Sequence, residues 1–255
     1  PYKTFAAGLD LRFPLDLKRK YKDAASVGLL FFSDNVPGVD FSTNQIGVSG
    51  AFHKSLSTEN NQFLSLGVQI NLAPRSVHYE DLTFTDPFNG TTGYTDASGD
   101  NLPSNNFSFS DYAVGLNYSY SPKRGIGLFV GAALHHILEP QVSFYYDRDK
   151  LLDEPDQFGS NKLFRKISGQ LSLRIPVGER IDLLPRAIVA IQGPHTEITA
   201  GTNLRFSLGE FSKAAFHVGG WLRPVTTEDN SFDLDAVVIM TGFELKNFLL
   251  GISYD

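Results

Sequence analysis

Few residues of this chain have the type and spacing to do chemistry. His135 and His136 are neighbours, and a histidine pair suggests a metal ion or an acid–base relay. An extended strand sends successive side chains to opposite faces, so adjacent histidines on a regular strand cannot hold one ion. The run Asp96-Ala97-Ser98-Gly99-Asp100-Asn101 resembles a calcium loop in composition. It lacks the spaced oxygen ligands and distal glutamate that such a loop needs, and Asp, Gly, Ser and Asn are ordinary turn formers, so it reads as a solvated surface loop. Cys is absent, which removes both a disulfide framework and a thiolate metal site. The sequence holds no phosphate-binding loop, dinucleotide fingerprint, nucleophile elbow or zinc-binding helix motif. No catalytic residue, cofactor or metal is expected.

The remaining candidates are charges of both signs: Asp10, Arg12, Lys166, Arg174, Asp182, Arg186, Glu197, Arg205, Arg223, Asp233 and Asp235. Their spacing is set by an alternation of period two, clearest in Leu64-Ser65-Leu66-Gly67-Val68-Gln69-Ile70-Asn71-Leu72. Such a segment is a strand with one apolar and one wet face. The pattern restarts along the whole chain. Phe5, Leu9, Leu11 and Phe13 stand against Asp10 and Arg12. Ile46, Val48 and Phe52 stand against Gln45, Ser49 and His53. Ile167, Leu171 and Ile175 stand against Gln170 and Arg174. Ile181, Leu183 and Val189 stand against Asp182 and Arg186. Ile198, Leu204 and Phe206 stand against Glu197 and Arg205, and Phe216, Val218 and Leu222 stand against His217, Trp221 and Arg223.

Segments of about 10 residues repeating in this way have the length that crosses a bilayer as tilted strands. Roughly twelve are expected, and they are joined by two kinds of connection. Compact ones fall at 14–22, 55–61, 121–125, 176–180, 209–213 and 244–247. Long ones fall at 34–42, 74–106, 138–161 and 224–231, with the short 193–195 as the exception. The two kinds alternate, as periplasmic turns and outer loops do. The expected fold is all-β: a single antiparallel transmembrane β-barrel over residues 1–255. A soluble sandwich also alternates, but its strands are shorter and its connections are not ordered this way. Mean hydropathy is −0.13, a soluble-looking value that barrels share because half of each strand faces water. The chain opens almost directly into a strand and stops abruptly after Tyr254-Asp255. It is therefore expected to lack an export signal, a first strand and a final strand, with about 14 strands in the complete chain.

With inward and outward faces assigned, the candidates acquire roles. The net charge of −6 and the lack of a basic stripe exclude a nucleic-acid partner. Inward charges of mixed sign suit ion pairs lining a lumen better than a selectivity ring of one sign. His135 falls inward and His136 outward. A catalytic His136 on the lipid side would need a serine beside it, as in barrel-embedded lipid hydrolases, and spacing places none there. The 138–161 connection mixes Phe144, Tyr145, Tyr146 and Phe158 with Arg148 and several aspartates. That composition suits a partner-contact surface, and equally an aromatic cluster packed in the barrel mouth. Bulky inward groups such as Trp221, Phe129 and Arg223 argue for a partly filled lumen, which leaves a passive porin or small-molecule channel as the alternative function.

Several segments carry a family resemblance. They are Val27-Gly28-Leu29-Leu30-Phe31-Phe32-Ser33-Asp34, the run from Thr43-Asn44-Gln45-Ile46-Gly47 to His53, Gly131-Ala132-Ala133-Leu134-His135-His136-Ile137-Leu138-Glu139-Pro140, and Leu250-Gly251-Ile252-Ser253-Tyr254-Asp255. In this order they resemble the PorP/SprF family over nearly the whole chain. The resemblance implies a non-enzymatic, multi-pass outer-membrane component of the type IX secretion system of Bacteroidota, associated with export of surface proteins and gliding motility. It implies no catalytic residues. Its implied partners are the C-terminal domain of a secreted adhesin, or periplasmic secretion-machine lipoproteins, in contact with outer-membrane lipid.

Overall fold

In the computed structural model the described residues are 3–15, 20–36, 41–79, 104–144, 161–209, 214–227, 231–246 and 248–254. They form twelve strands: β1 (Lys3–Pro14), β2 (Ala24–Val36), β3 (Phe41–Ser55), β4 (Gln62–Ser76), β5 (Asn106–Tyr120), β6 (Gly127–His135), β7 (Lys166–Pro176), β8 (Ile181–Gln192), β9 (His195–Ser207), β10 (Ala214–Thr226), β11 (Phe232–Leu245) and β12 (Phe248–Tyr254). All belong to one sheet in strict sequence order from β1 to β12, and every neighbouring pair is antiparallel. β1 and β12 are the two edges of this sheet. The uninterrupted nearest-neighbour meander is the topology of a transmembrane barrel.

The alternation becomes two faces because the register keeps like residues in rows. Val48 lies opposite Ile70, and Ile70 opposite Tyr112. One residue along, Ser49 lies opposite Gln69 and Gln69 opposite Ala113. A slip of one residue would exchange the faces, so the pattern itself fixes the pairing. The distribution of side chains is the reverse of a water-soluble protein. The buried hydrophobic residues among those described are the alanines 24, 73, 113, 214 and 215, whereas Leu66 is 55%, Val68 57% and Ile70 53% exposed. Contiguous apolar surface on this scale marks a face built for another apolar phase. The opposite face carries the polar side chains and a cavity, and is called the inner face below.

Strand boundaries depart from the alternation in one place that matters. Glu244, expected in a turn, lies in β11 opposite Ala215, where the period of two continues past Phe243 and turns the carboxylate inward. A register shift between Arg223 and Pro224 leaves Asp235 as the extra residue of β11, and bulges of this kind re-aim side chains.

Candidate functional site

The inner face of β7 to β11 is a packed polar wall. The Arg205 guanidinium forks onto Glu244, with Nε donating to Oε2 at 2.8 Å and Nη2 to Oε1 at 2.9 Å. Its Nη1 lies 3.5 Å from Asp182 Oδ2 and 3.0 Å from Ser207 Oγ. Asp182, itself buried, also meets Arg174 Nη2 at 3.1 Å, and His217 Nε2 stands 3.0 Å from Glu244 Oε2. The register creates this cluster: Asp182 is opposite Arg205, and Arg205 is opposite His217. Two arginines against two carboxylates leave no surplus charge, and paired geometry is what makes burial of such groups tolerable.

Above this network Trp221 fills the wall. Its Nε1 donates to Asn203 Oδ1 at 3.1 Å, and Asn203 Nδ2 reaches Met240 Sδ at 3.3 Å. Trp221 lies opposite Gly201, where a Cβ would come within 2.8 Å of the indole Cδ2. Farther along, Arg223 Nε donates to Asp235 Oδ2 at 2.7 Å, and Glu197 accepts from Thr199 Oγ1 at 3.3 Å. Arg186 faces inward between Ser172 and Gly201 and takes part in no ion pair among the described residues. Asp10 and Arg12 lie away from this network. Asp10 and Ser49 converge on the space left by Gly28, and the Arg12 guanidinium sits 5.1 Å from the centre of the Phe63 ring.

The inner face of β3 to β7 is built oppositely. Ala51, Gly67, Gly115 and Ala133 stand side by side across four strands and form the floor of a cavity of about 460 Å³. Polar groups edge it. His53 bridges Ser26 Oγ at 3.0 Å and Ser65 Oγ at 2.8 Å, and His135 Nε2 meets Ser168 Oγ at 3.0 Å.

At the end of the long connections the structure corrects the expected placement of His136. Its φ of 56° takes it out of the strand conformation just after β6. Instead of pointing outward it turns to the inner side, with Nδ1 3.0 Å from Asp111 Oδ1. Asp111 lies opposite Asn71, whose Nδ2 reaches Asp111 Oδ2 at 3.4 Å. The alternation rule holds only while the strand does. An outer-wall hydrolase site at His136 is thereby removed.

Of the aromatic candidates in the following connection, Phe144 packs edge-on to Phe107 at 4.7 Å and lies 6.1 Å from Phe41. Arg75 stacks over Phe109 at 5.2 Å beside this cluster. Phe144 thus joins aromatics from β3 and β5 at the mouth. Tyr145, Tyr146, Arg148 and Phe158 lie outside the described residues, as does the 96–101 run. Sequence reasoning missed Glu244 and Asp111 on the inner face, and the signal for both was the period of two carried to the strand ends.

Among curated proteins, none matches the chain. The sequence model of the family described as type IX secretion system membrane protein PorP/SprF matches residues 1–255, and with the all-β meander of twelve strands this chain belongs to the PorP/SprF family, a component of the type IX secretion system membrane machinery.

Proposed function

We propose that the protein is a multi-pass outer-membrane barrel, one domain over residues 1–255, that holds a secreted surface protein such as a gliding adhesin, or docks the secretion machinery. The observation that carries this reading is the inverted sheet: large aliphatics cover one whole face while the buried hydrophobic positions are alanines, as lipid on the outside requires. Family membership supplies the secretion context.

Partner contact on the long-connection side is assigned to Phe144, Tyr145, Tyr146, Arg148 and Phe158. Phe144 supports this by sitting in an aromatic cluster at the mouth. Deleting the gene should leave cargo unexported or unanchored at the cell surface, read by surface labelling. Normal display of the secreted proteins would defeat the reading. The open cavity between β3 and β8 favours a second reading, a passive small-molecule channel. Large, stable currents in planar bilayers would select it.

A further inference from the structure

The charges of this protein are sorted by the topology. The net charge of −6 is the sum of three unequal parts. Strands and chain ends are neutral, with nine Lys/Arg against nine Asp/Glu. The connections that join β1–β2, β3–β4, β5–β6, β7–β8, β9–β10 and β11–β12 carry nine basic against five acidic residues, a net of +4. In sequence, the remaining connections carry four basic against fourteen acidic residues, a net of −10. Among the described residues, the short-connection end carries the basic Lys20, Lys22, Lys123, Arg124, Arg180 and Lys246 against the acidic Asp23, Glu59 and Glu179.

Six of the nine basic residues at the short-connection end fall on its first and third connections: Lys18, Arg19, Lys20, Lys22, Lys123 and Arg124. The described parts of these connections are tied together through the second. Lys22 N donates to Asn60 Oδ1 at 2.7 Å, and Asn60 Nδ2 donates to the Lys20 carbonyl at 3.1 Å. Ser55 N and Lys54 Nζ both donate to Asp23, at 2.9 and 2.8 Å. On the other side Ser121 N donates to the Asn61 carbonyl at 2.8 Å. The framework consumes the Asp23 carboxylate internally. Lys20, Lys22, Lys123 and Arg124 are exposed, and none of them is in an ion pair among the described residues. Tyr21, 42% exposed, stands between the two lysines.

We infer that this basic arc is a docking face for an acidic protein surface, contacted by Lys20, Lys22, Lys123 and Arg124 with Tyr21 among them. The inference rests on the secretion reading and specifies the side and the chemistry of one contact. An anionic lipid leaflet surrounds a barrel and would call for basic residues around the whole rim. Here they are concentrated over three adjacent connections whose backbones are held in fixed relation. A preorganised, one-sided, charged patch that includes an exposed tyrosine has the character of a protein contact, and its charge sets partner choice and association rate.

The test uses the whole chain reconstituted in phosphatidylcholine nanodiscs, with poly-L-glutamate as the probe. Binding should weaken as salt is raised. Lys20→Glu/Lys22→Glu/Lys123→Glu/Arg124→Glu should reduce it about tenfold or more. The paired control Arg180→Glu/Lys246→Glu, on the other short connections, should change it far less than Lys123→Glu/Arg124→Glu. Folding of each variant is checked by its heat-modifiable gel mobility. Equal binding by the wild type and the fourfold variant would overturn the docking face. So would a fourfold variant that still binds the probe yet loses association with phosphatidylglycerol vesicles, which would assign the arc to lipid. In cells, a strain carrying the fourfold variant should release the machinery that co-purifies with the wild type. If deletion of the gene blocks secretion but the variant restores both secretion and co-purification, the docking face is wrong and the secretion reading stands. If deletion blocks nothing, the secretion reading fails while the nanodisc measurement still decides the docking face.

Discussion

The two walls of the inner face use the same small residue for opposite ends. Across β3 to β6, Gly67 and Gly115 lie beside Ala51 and Ala133, and the space they leave stays open as cavity. Across β9 and β10, Gly201 and Gly219 also lack side chains, but Trp221 and Asn203 occupy the space. One wall is a hollow edged by hydroxyls, amides and imidazoles. The other is a close-packed layer of Trp221, Asn203, Arg205, His217 and Glu244 joined by hydrogen bonds. The difference teaches that glycine content does not report how much space a wall leaves open; what stands opposite each glycine does. It also places a close-packed layer and open space on separate arcs of one sheet.

This comparison can be broken in three ways. The largest effect is expected in the packed wall. Arg205→Ala removes the forked partner of Glu244 and one of the two arginines on Asp182 and should cost about 3 kcal/mol, whereas Arg205→Met with Glu244→Leu should recover most of it, because removing both partners of a half-buried pair is far cheaper than removing one. Urea midpoints of the folded gel band measure both; equal losses would mean the network is solvated and the wall is not close-packed. Next come the outer faces, where the walls should not differ. Val68→Lys behind the hollow and Leu222→Lys behind the packed wall each place a charge in lipid and should each cost about 2–3 kcal/mol in a depth-dependent way. A cost at only one of them would show that the apolar band is incomplete. The smallest and most discriminating pair concerns the glycines. Gly201→Leu must displace the indole and neighbouring backbone and should destabilise by about 2 kcal/mol, while Gly67→Leu should cost well under about 1 kcal/mol and reduce solute passage through the cavity instead. Equal destabilisation by the two would erase the distinction between the walls.

Much of this architecture could be read in the residues beforehand. The twelve strands, their order of short and long connections, and the inward placement of Arg174, Asp182, Arg205 and Trp221 all follow from an alternation that one buried or lipid-facing side enforces. The failures have a common cause. Glu244 looked like a turn residue because charge at the end of an apolar run resembles a strand boundary, yet its pairing with Arg205 holds it in β11. His136 obeyed the alternation on paper but sits one residue beyond β6 with a positive φ, and a single left-handed residue reverses the side to which it points. The partners of each charge were illegible because they lie on neighbouring strands, at separations such as the 39 residues between Arg205 and Glu244.

The sequence by itself determined that this chain is a set of wet-and-dry strands, because side-chain direction in an extended chain depends only on odd and even position. It also determined a net charge of −6 and charges of both signs at the wet positions of the strands. Only the tertiary structure decided which charges neutralise one another, which glycines remain empty, and that the described parts of the first and third short connections are tied together through the second. Those outcomes depend on which strand lies beside which and at what register, and a meander of twelve strands brings every second connection to the same end. A single total along the chain cannot express those neighbourhoods, since it carries no position.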